Sequence, residues 1–478
     1  MVRGLSQPFQ TFRSPLPDSA RRPLATLVLL ATSIGLAWAA DAAGWPREQA
    51  LIVGILTATV LLWVTEALPL FATAFISIAS QLLLLGNPGG WSWLGFDRAG
   101  GPPAEAFLSA AADPVLLLFF GGLVLARAAT KTGVDHRLAA LVLRPLADTP
   151  ERLLLGVILA TACFSLWMSN TATAALMLAL VAPVLVQIPA SDPFRKALLL
   201  AIPVSANIAG MATPIASPPN AIAISYLSRE NAGIGFHTWM LIACPIVIVL
   251  LALTWWRLLR LYPPSHVGWR LDFPDAPLSS RGAWVLTVAM TTFMIWITEP
   301  WHGVRAAVVA VLPVMLLFAT TIVDREDVNS LDWDVLILIA GGLTLGYSLQ
   351  VTALDQRLAT LVPDAGGVIR LAVLAAATLT LGTFFSNTAV ASMLMPVAVL
   401  AAVTGTGDLD LPAYALAIAL VASLSMALPV STPPNAMAYA TGELTTRDFL
   451  GTAAYVGGAG TILVLLTLAF IRPWLMSG

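Results

Sequence analysis

Charge is scarce in this sequence: only 10% of its 478 residues are Asp, Glu, Lys or Arg, where a soluble domain carries about 25%. From Leu153 to Val186 there is none at all. So little polar surface cannot be wetted, which excludes a soluble globular protein. The net charge of −2 says little about partners, and no nucleic acid is expected among them. Cysteine is nearly absent. Cys163 and Cys244 both fall in apolar segments, which excludes a disulfide framework. The four histidines (His136, His237, His266 and His302) lie at loops or segment ends, and no His-Glu-x-x-His occurs. Without a nucleophile–base pair, paired aspartates or a metal motif in the apolar core, the chain is not read as an enzyme.

What remains is oil. Hydrophobic residues make up 58% of the chain and mean hydropathy is +0.86, the composition of an all-α polytopic membrane protein. Apolar runs of spanning length fall at 23–40, 50–68, 70–86, 114–131, 196–228, 238–258, 282–299, 304–322, 333–351, 411–441 and 449–471. Two more, hairpins 152–187 and 368–402, are interrupted midway by Ser-Asn-Thr. Each folds as two arms, re-entrant or fully spanning; the re-entrant form gives about 11 transmembrane helices and two hairpins. The first run, preceded by Arg21 and Arg22, is read as an uncleaved helix rather than a signal peptide. With the N-terminus in the cytoplasm, most of the 24 Lys and Arg residues lie on the cytoplasmic side. The chain is therefore expected in a membrane, the bacterial inner membrane, with the lipid bilayer as its solvent.

Four segments recur in unbroken order. Trp63–Glu66 (WVTE) returns as Trp296–Glu299 (WITE), and Gly121–Ala139 as Gly341–Ala359. Ser169–Ala174 (SNTATA) returns as Ser386–Ala391 (SNTAVA), and Thr213–Ala223 (TPIASPPNAIA) as Leu428–Ala438 (LPVSTPPNAMA). Five crossings separate the two Trp-x-Thr-Glu copies, an odd number, so the second half should be inverted in the membrane. The expected organisation is an N-terminal tail and first helix (1–49), a first repeat (50–258), a cytoplasmic linker (259–281) and a second repeat (282–478). Inverted repeats with helix-breaking polar elements at matching positions are the signature of secondary transporters, with the site near the midplane.

The motifs explain why polar groups are kept in oil. Unpartnered buried polar groups cost about 1–3 kcal/mol each. At each hairpin turn one arm ends in unpaired carbonyls, which suit a cation. The other begins with unpaired amide N–H groups, which suit an anion. In Ser217-Pro218-Pro219-Asn220 and Thr432-Pro433-Pro434-Asn435, the prolines remove backbone donors and disrupt the helix. A single such Ser or Thr would read as a helix-bonded hydroxyl, and a single Pro-Pro as a kink; their coupled duplication argues for a polar chamber. No Asp, Glu, Lys, Arg or His lies in the hairpin interiors or in 197–228 and 411–442. A small dianion there would meet only dipoles, hydroxyls and carboxamides, so sodium bound beside it is the expected charge balance. Glu66 and Glu299, at segment ends, are read as structural. Trp38, Trp63 and Trp296 are read as interface anchors, and Gly133–Asp148 as an interfacial helix.

The paired Ser-Asn-Thr and paired [Ser/Thr]-Pro-Pro-Asn motifs resemble those of the divalent anion/sodium symporter (INDY-like) family, carriers of dicarboxylates, citrate or sulfate. The likeness runs from about Trp63 to Asn435 and beyond. It implies a homodimer working as an elevator, with Na⁺ co-transported with the anion. It further implies that Ser169, Asn170, Thr171, Ser217 and Pro218 hold the substrate from one half, and Ser386, Asn387, Thr388, Thr432 and Pro433 from the other. One sodium site would involve Ser165, Ser169, Asn170 and a carbonyl near Ala216. The second would involve Asn387, the backbone near Phe385 and Ser431, and position 382. Two positions depart from the pattern: Ala216 replaces a glycine, and Gly382 replaces a hydroxyl residue. The expected function is sodium-coupled symport of a divalent anion, a C4-dicarboxylate such as succinate. A sodium-independent exchanger or a sulfate or citrate carrier is the alternative. The Gly382 departure removes a candidate sodium ligand and predicts a second site that is weaker, differently built or absent, with partial recovery by Gly382→Thr.

Overall fold

The computed structural model describes residues 21–87, 101–265, 278–359, 366–403 and 409–471. Most of the linker expected at 259–281, His266 included, and the first 20 residues of the N-terminal tail lie outside them. The described first half contains α1 (Arg21–Ala42), α2 (Arg47–Thr65), α3 (Leu70–Leu84), α4 (Ala104–Ala111), α5 (Val115–Thr132) and α6 (Val134–Leu143). These are followed by α7 (Pro150–Ser165), α8 (Asn170–Gln187), α9 (Phe194–Ala209), α10 (Pro218–Arg229) and α11 (Phe236–Leu261). The second half contains α12 (Ser280–Ile297), α13 (Glu299–His302), α14 (Ala306–Val309), α15 (Val311–Ala319), α16 (Arg325–Asn329) and α17 (Trp333–Val351). Then come α18 (Leu354–Ala359), α19 (Gly367–Phe384), α20 (Asn387–Val403), α21 (Leu411–Leu424), α22 (Pro433–Tyr439), α23 (Thr446–Phe449) and α24 (Tyr455–Leu466).

Among the described residues the chain is helical, and eight helices are long and apolar enough to cross a membrane. Several expected spans come out shorter because they are broken. Run 196–228 becomes α9 and α10 on either side of Gly210–Ser217, and run 411–441 becomes α21 and α22 on either side of Ser425–Thr432. Run 304–322 is divided at Ala310. The paired prolines sit at the starts of α10 and α22, where a missing N–H costs no helix bond. Helix α6, in the segment expected to be interfacial, is followed by one turn of 3₁₀ helix, Arg144–Leu146.

The core follows from composition along α9 and α21. Every α9 residue except Arg195 and Lys196 is buried, as is every α21 residue except Leu411; helices apolar on all sides sit at a protein's centre. The α7–α8 hairpin packs on α9, and the α19–α20 hairpin packs on α21. Each short helix then crosses to the other half, α10 against α20 and α21, α22 against α8 and α9. Around this centre, α3 lies on α17. Gln81 accepts a bond from Ser348 Oγ at 2.5 Å and donates to Thr344 Oγ1 at 3.4 Å. Arg127 and Lys131 of α5 hold Asp327 of α16 at 2.9 and 2.5 Å.

Two expectations change. Trp63 and Trp296 are not interface anchors: both are fully buried. Each indole N–H donates to the first carbonyl of a helix beyond the turn, Trp63 to Leu70 O of α3 at 3.2 Å and Trp296 to Ala306 O of α14 at 3.0 Å. The repeated Trp-x-Thr-Glu is thus a turn staple; Trp38 remains exposed. The carbonyls freed by the helix breaks also have a definite partner. Asn220 Nδ2 donates to Gly210 O and Thr213 O, and Asn435 Nδ2 to Met426 O and Leu428 O, all at 2.8 Å. The last residue of each [Ser/Thr]-Pro-Pro-Asn motif therefore holds its own break together. Thr213 O and Leu428 O also accept from Ala216 N and Ser431 N, so losing either carboxamide strands Gly210 O or Met426 O, a cost of about 1–3 kcal/mol. Asn220→Ala and Asn435→Ala are expected to lower the thermal unfolding midpoint in detergent by several degrees each; an unchanged midpoint would contradict the staple.

Candidate functional site

Helices α8, α10, α20 and α22 begin at one cavity, whose lining also takes in the starts of α3 and α17. It has a volume of about 930 Å³ and is lined by Ser169–Ala172, Ala216–Pro219, Phe384–Thr388 and Val430–Pro434, among others. The starts of α8, α10, α20 and α22 all lie in those segments. All ten residues assigned to substrate in the sequence (Ser169, Asn170, Thr171, Ser217, Pro218, Ser386, Asn387, Thr388, Thr432 and Pro433) line this one space, as do Ala216, Phe385 and Ser431. Helix starts carry partial positive charge and orphan N–H donors. In α10 and α22 the first two donors are lost to proline, so their starts offer hydroxyls (Ser217, Thr432) and dipole. Amide donors come from the hairpin arms α8 and α20. Among the described residues no Lys, Arg or His lines the cavity.

Ser165 lies behind the first Ser-Asn-Thr rather than in the lining. It is fully buried, with Oγ 2.6 Å from Asn170 Oδ1 and 2.8 Å from Ala206 O. That bond orients the Asn170 carboxamide. Ser169 caps α8, accepting from Ala172 N at 3.3 Å, and Thr213 Oγ1 donates to Leu166 O at 2.5 Å, tying the hairpin turn to the helix break. Space is tight: a Cβ at Gly210 would fall 2.6 Å from Asn170 Oδ1. Asn207 of α9 was not singled out in the sequence. It donates to Thr432 Oγ1 at 3.1 Å and Asn435 Oδ1 at 3.4 Å, linking the halves across the cavity. Its signal was a lone carboxamide in an otherwise apolar helix.

The second half is built differently. Gly382 does not line the cavity, and a Cβ there would sit 2.6 Å from both Cβ and Oγ of Ser425. Gly382→Thr therefore has no room beside Ser425, and the recovery expected of it is withdrawn. The turn is tied by Ser431, whose Oγ donates to Thr383 O at 2.6 Å. Asn387 Oδ1 is buried with no hydrogen-bond donor among the described residues.

Glu66, Asp332 and Asp334 line the same cavity. All three are exposed and give its mouth a negative lining; Glu66, read as structural in the sequence, borders the cavity, and the two aspartates were not singled out there. Glu66 ends α2 in the left-handed region at φ 47. Glu299 has a structural contact, accepting from Phe236 N at 3.0 Å. Neutral oxygens inside and carboxylates at the mouth suit hard cations. The helix starts suit an anion.

Exposure ranks these residues for a chemical test. With Cys163 and Cys244 replaced by Ser, Thr171→Cys, exposed in the cavity, should react with a membrane-impermeant maleimide. Ser165→Cys, buried behind it, should be protected; equal labelling of both would contradict the cavity's depth.

Comparison with known proteins adds the following. The family model described as a citrate transporter (CitMHS) matches residues 60–421. A Staphylococcus aureus protein named as a sodium-dependent dicarboxylate transporter, SdcS, is 27% identical over 90% of this chain and 87% of its own length. An uncharacterised transporter of Schizosaccharomyces pombe is also 27% identical, over 81% of this chain; there the match spans only 45% of the relative's length. The crystal structure of the Alcanivorax borkumensis YdaH transporter aligns with a TM-score of 0.56 at 14% identity, covering 86% of this chain and 98% of that one. It is a likeness of fold. The chain is an integral membrane transporter, not an enzyme, and belongs to the citrate transporter family, of the divalent anion/sodium symporter type its motifs resemble.

Proposed function

We propose that the protein carries a divalent anion, a C4-dicarboxylate such as succinate, across the bilayer together with sodium. The observation that carries this reading is the cavity where the starts of α8, α10, α20 and α22 meet with no positive side chain among the described residues lining it. A dianion held by dipoles and neutral donors alone leaves two charges unbalanced in a low-dielectric interior, which is costly. Sodium ions at the carbonyl ends of α7 and α19, beside Asn170 and Asn387, balance them. The carboxylates at the mouth favour cation entry and disfavour a bare anion. A relative named for sodium-dependent dicarboxylate transport, matched over most of both chains, supports the choice of substrate and ion.

On this reading the substrate residues are the ten named above. The first sodium site uses Ser165, Ser169, Asn170 and the backbone at Ala216. The second uses Asn387 and the backbone at Phe385 and Ser431. The two hairpins are re-entrant from opposite sides of an inverted repeat. The body formed by α7–α11 and α19–α24 moves as an elevator against a fixed homodimeric scaffold.

Proteoliposomes with an inward sodium gradient are expected to accumulate labelled succinate, and those with choline are not. Asn170→Ala and Asn387→Ala should each reduce uptake about tenfold or more, the loss expected for a bond to a charged group. Gradient-independent counterflow without net uptake would identify an exchanger instead. Near wild-type uptake by both variants would refute the site.

A further inference from the structure

The two halves contain the same hydroxyls in different places. Ser165 stands to Ser169 as Gly382 stands to Ser386, and Gly210 stands to Ser217 as Ser425 stands to Thr432. The first half thus pairs Ser on the hairpin arm with Gly on the broken helix; the second pairs Gly on the arm with Ser on the broken helix. The exchange is spatial as well as sequential, because Ser425 Cβ and Oγ each lie 2.6 Å from where a Cβ on Gly382 would be. A second exchange of the same kind lies beside it. Thr213 and Ala216 in the first half correspond to Leu428 and Ser431 in the second, and both hydroxyls tie down the carbonyl of a hairpin turn.

We infer that Ser425 supplies the oxygen ligand that Gly382 lacks, so that a second sodium ion is held between Asn387 and Ser425. The inference rests on the sodium-coupled reading above. Asn170 Oδ1 is already bonded by Ser165, whereas Asn387 Oδ1 is buried without a donor and lies 3.7 Å from the same Cβ point that Ser425 Oγ approaches. Both oxygens therefore border one small space. Ser425 Oγ lies 3.0 Å from Val421 O and 3.2 Å from Thr378 O. Its proton can go to either carbonyl, leaving its lone pairs for a cation. A buried carboxamide oxygen with no donor costs about 1–3 kcal/mol, and a cation ligated there removes that cost. Of the outcomes expected from the Gly382 departure, a weaker, differently built or absent second site, this is the differently built one.

The test uses the purified full-length protein and sodium chloride against choline chloride at equal ionic strength, read as the cation-dependent shift of the thermal unfolding midpoint. Ser425→Ala keeps the packing and removes the oxygen. It should raise the sodium concentration for half-maximal shift about tenfold or more and flatten the sodium dependence. The exchange variant Ser425→Gly with Gly382→Ser, which copies the first half's arrangement, should return that concentration to within about threefold of wild type. The midpoint in choline reports folding separately; if the exchange variant folds poorly, Ser425→Ala decides. A wild-type sodium response in Ser425→Ala would overturn the assignment alone, leaving sodium coupling intact. No sodium-specific shift in the wild type would overturn both.

Discussion

The structure turns on one electrostatic constraint: helix starts converge inside an apolar body on a cavity that, among the described residues, no positive side chain lines. Helix starts and hydroxyls are the fixed attractions the cavity offers, and Glu66, Asp332 and Asp334 at the mouth oppose them. Four helices must be broken or turned inside the apolar body to bring those starts together, and each break exposes backbone groups that lipid cannot satisfy. The solution is local. Asn220 and Asn435 collect the carbonyls of their own breaks, and Thr213 and Ser431 hold the hairpin turns. The polar residues that looked extravagant in an oily sequence divide into those that face the cavity and those that repair the backbone behind it.

Much of this was legible in the sequence because it was written twice. A single Ser-Asn-Thr in an apolar run has an ordinary structural explanation, and the second copy removed it. The helix breaks followed from paired prolines, whose effect is local and steric. The role of the final Asn in each Pro-Pro-Asn motif was not legible, since its partners are carbonyls that come within reach only after the chain turns. Asn207 was invisible for a related reason: its partners, Thr432 and Asn435, lie in the other half. Trp63 and Trp296 were misassigned because a tryptophan near a segment end has the same sequence context whether it faces lipid or staples a turn. Ser425 looked like any small polar residue until its side chain was placed against Gly382.

The halves are alike in plan and unlike in detail. Where one places a hydroxyl on the hairpin arm, the other places it on the facing broken helix, and a glycine opposite leaves the room. Residue-by-residue transfer from a pattern fails at such positions, because side chains from two different elements meet there and either can carry the hydroxyl. The apparent loss at Gly382 is the case in point.

The most direct measurement of the central claim is the equilibrium affinity for succinate, by calorimetry on the purified protein, as sodium is replaced stepwise by choline at constant ionic strength so that screening is unchanged. The account predicts that affinity falls steeply as sodium is withdrawn and is lost in choline alone. Equal affinity in sodium and in choline would contradict it.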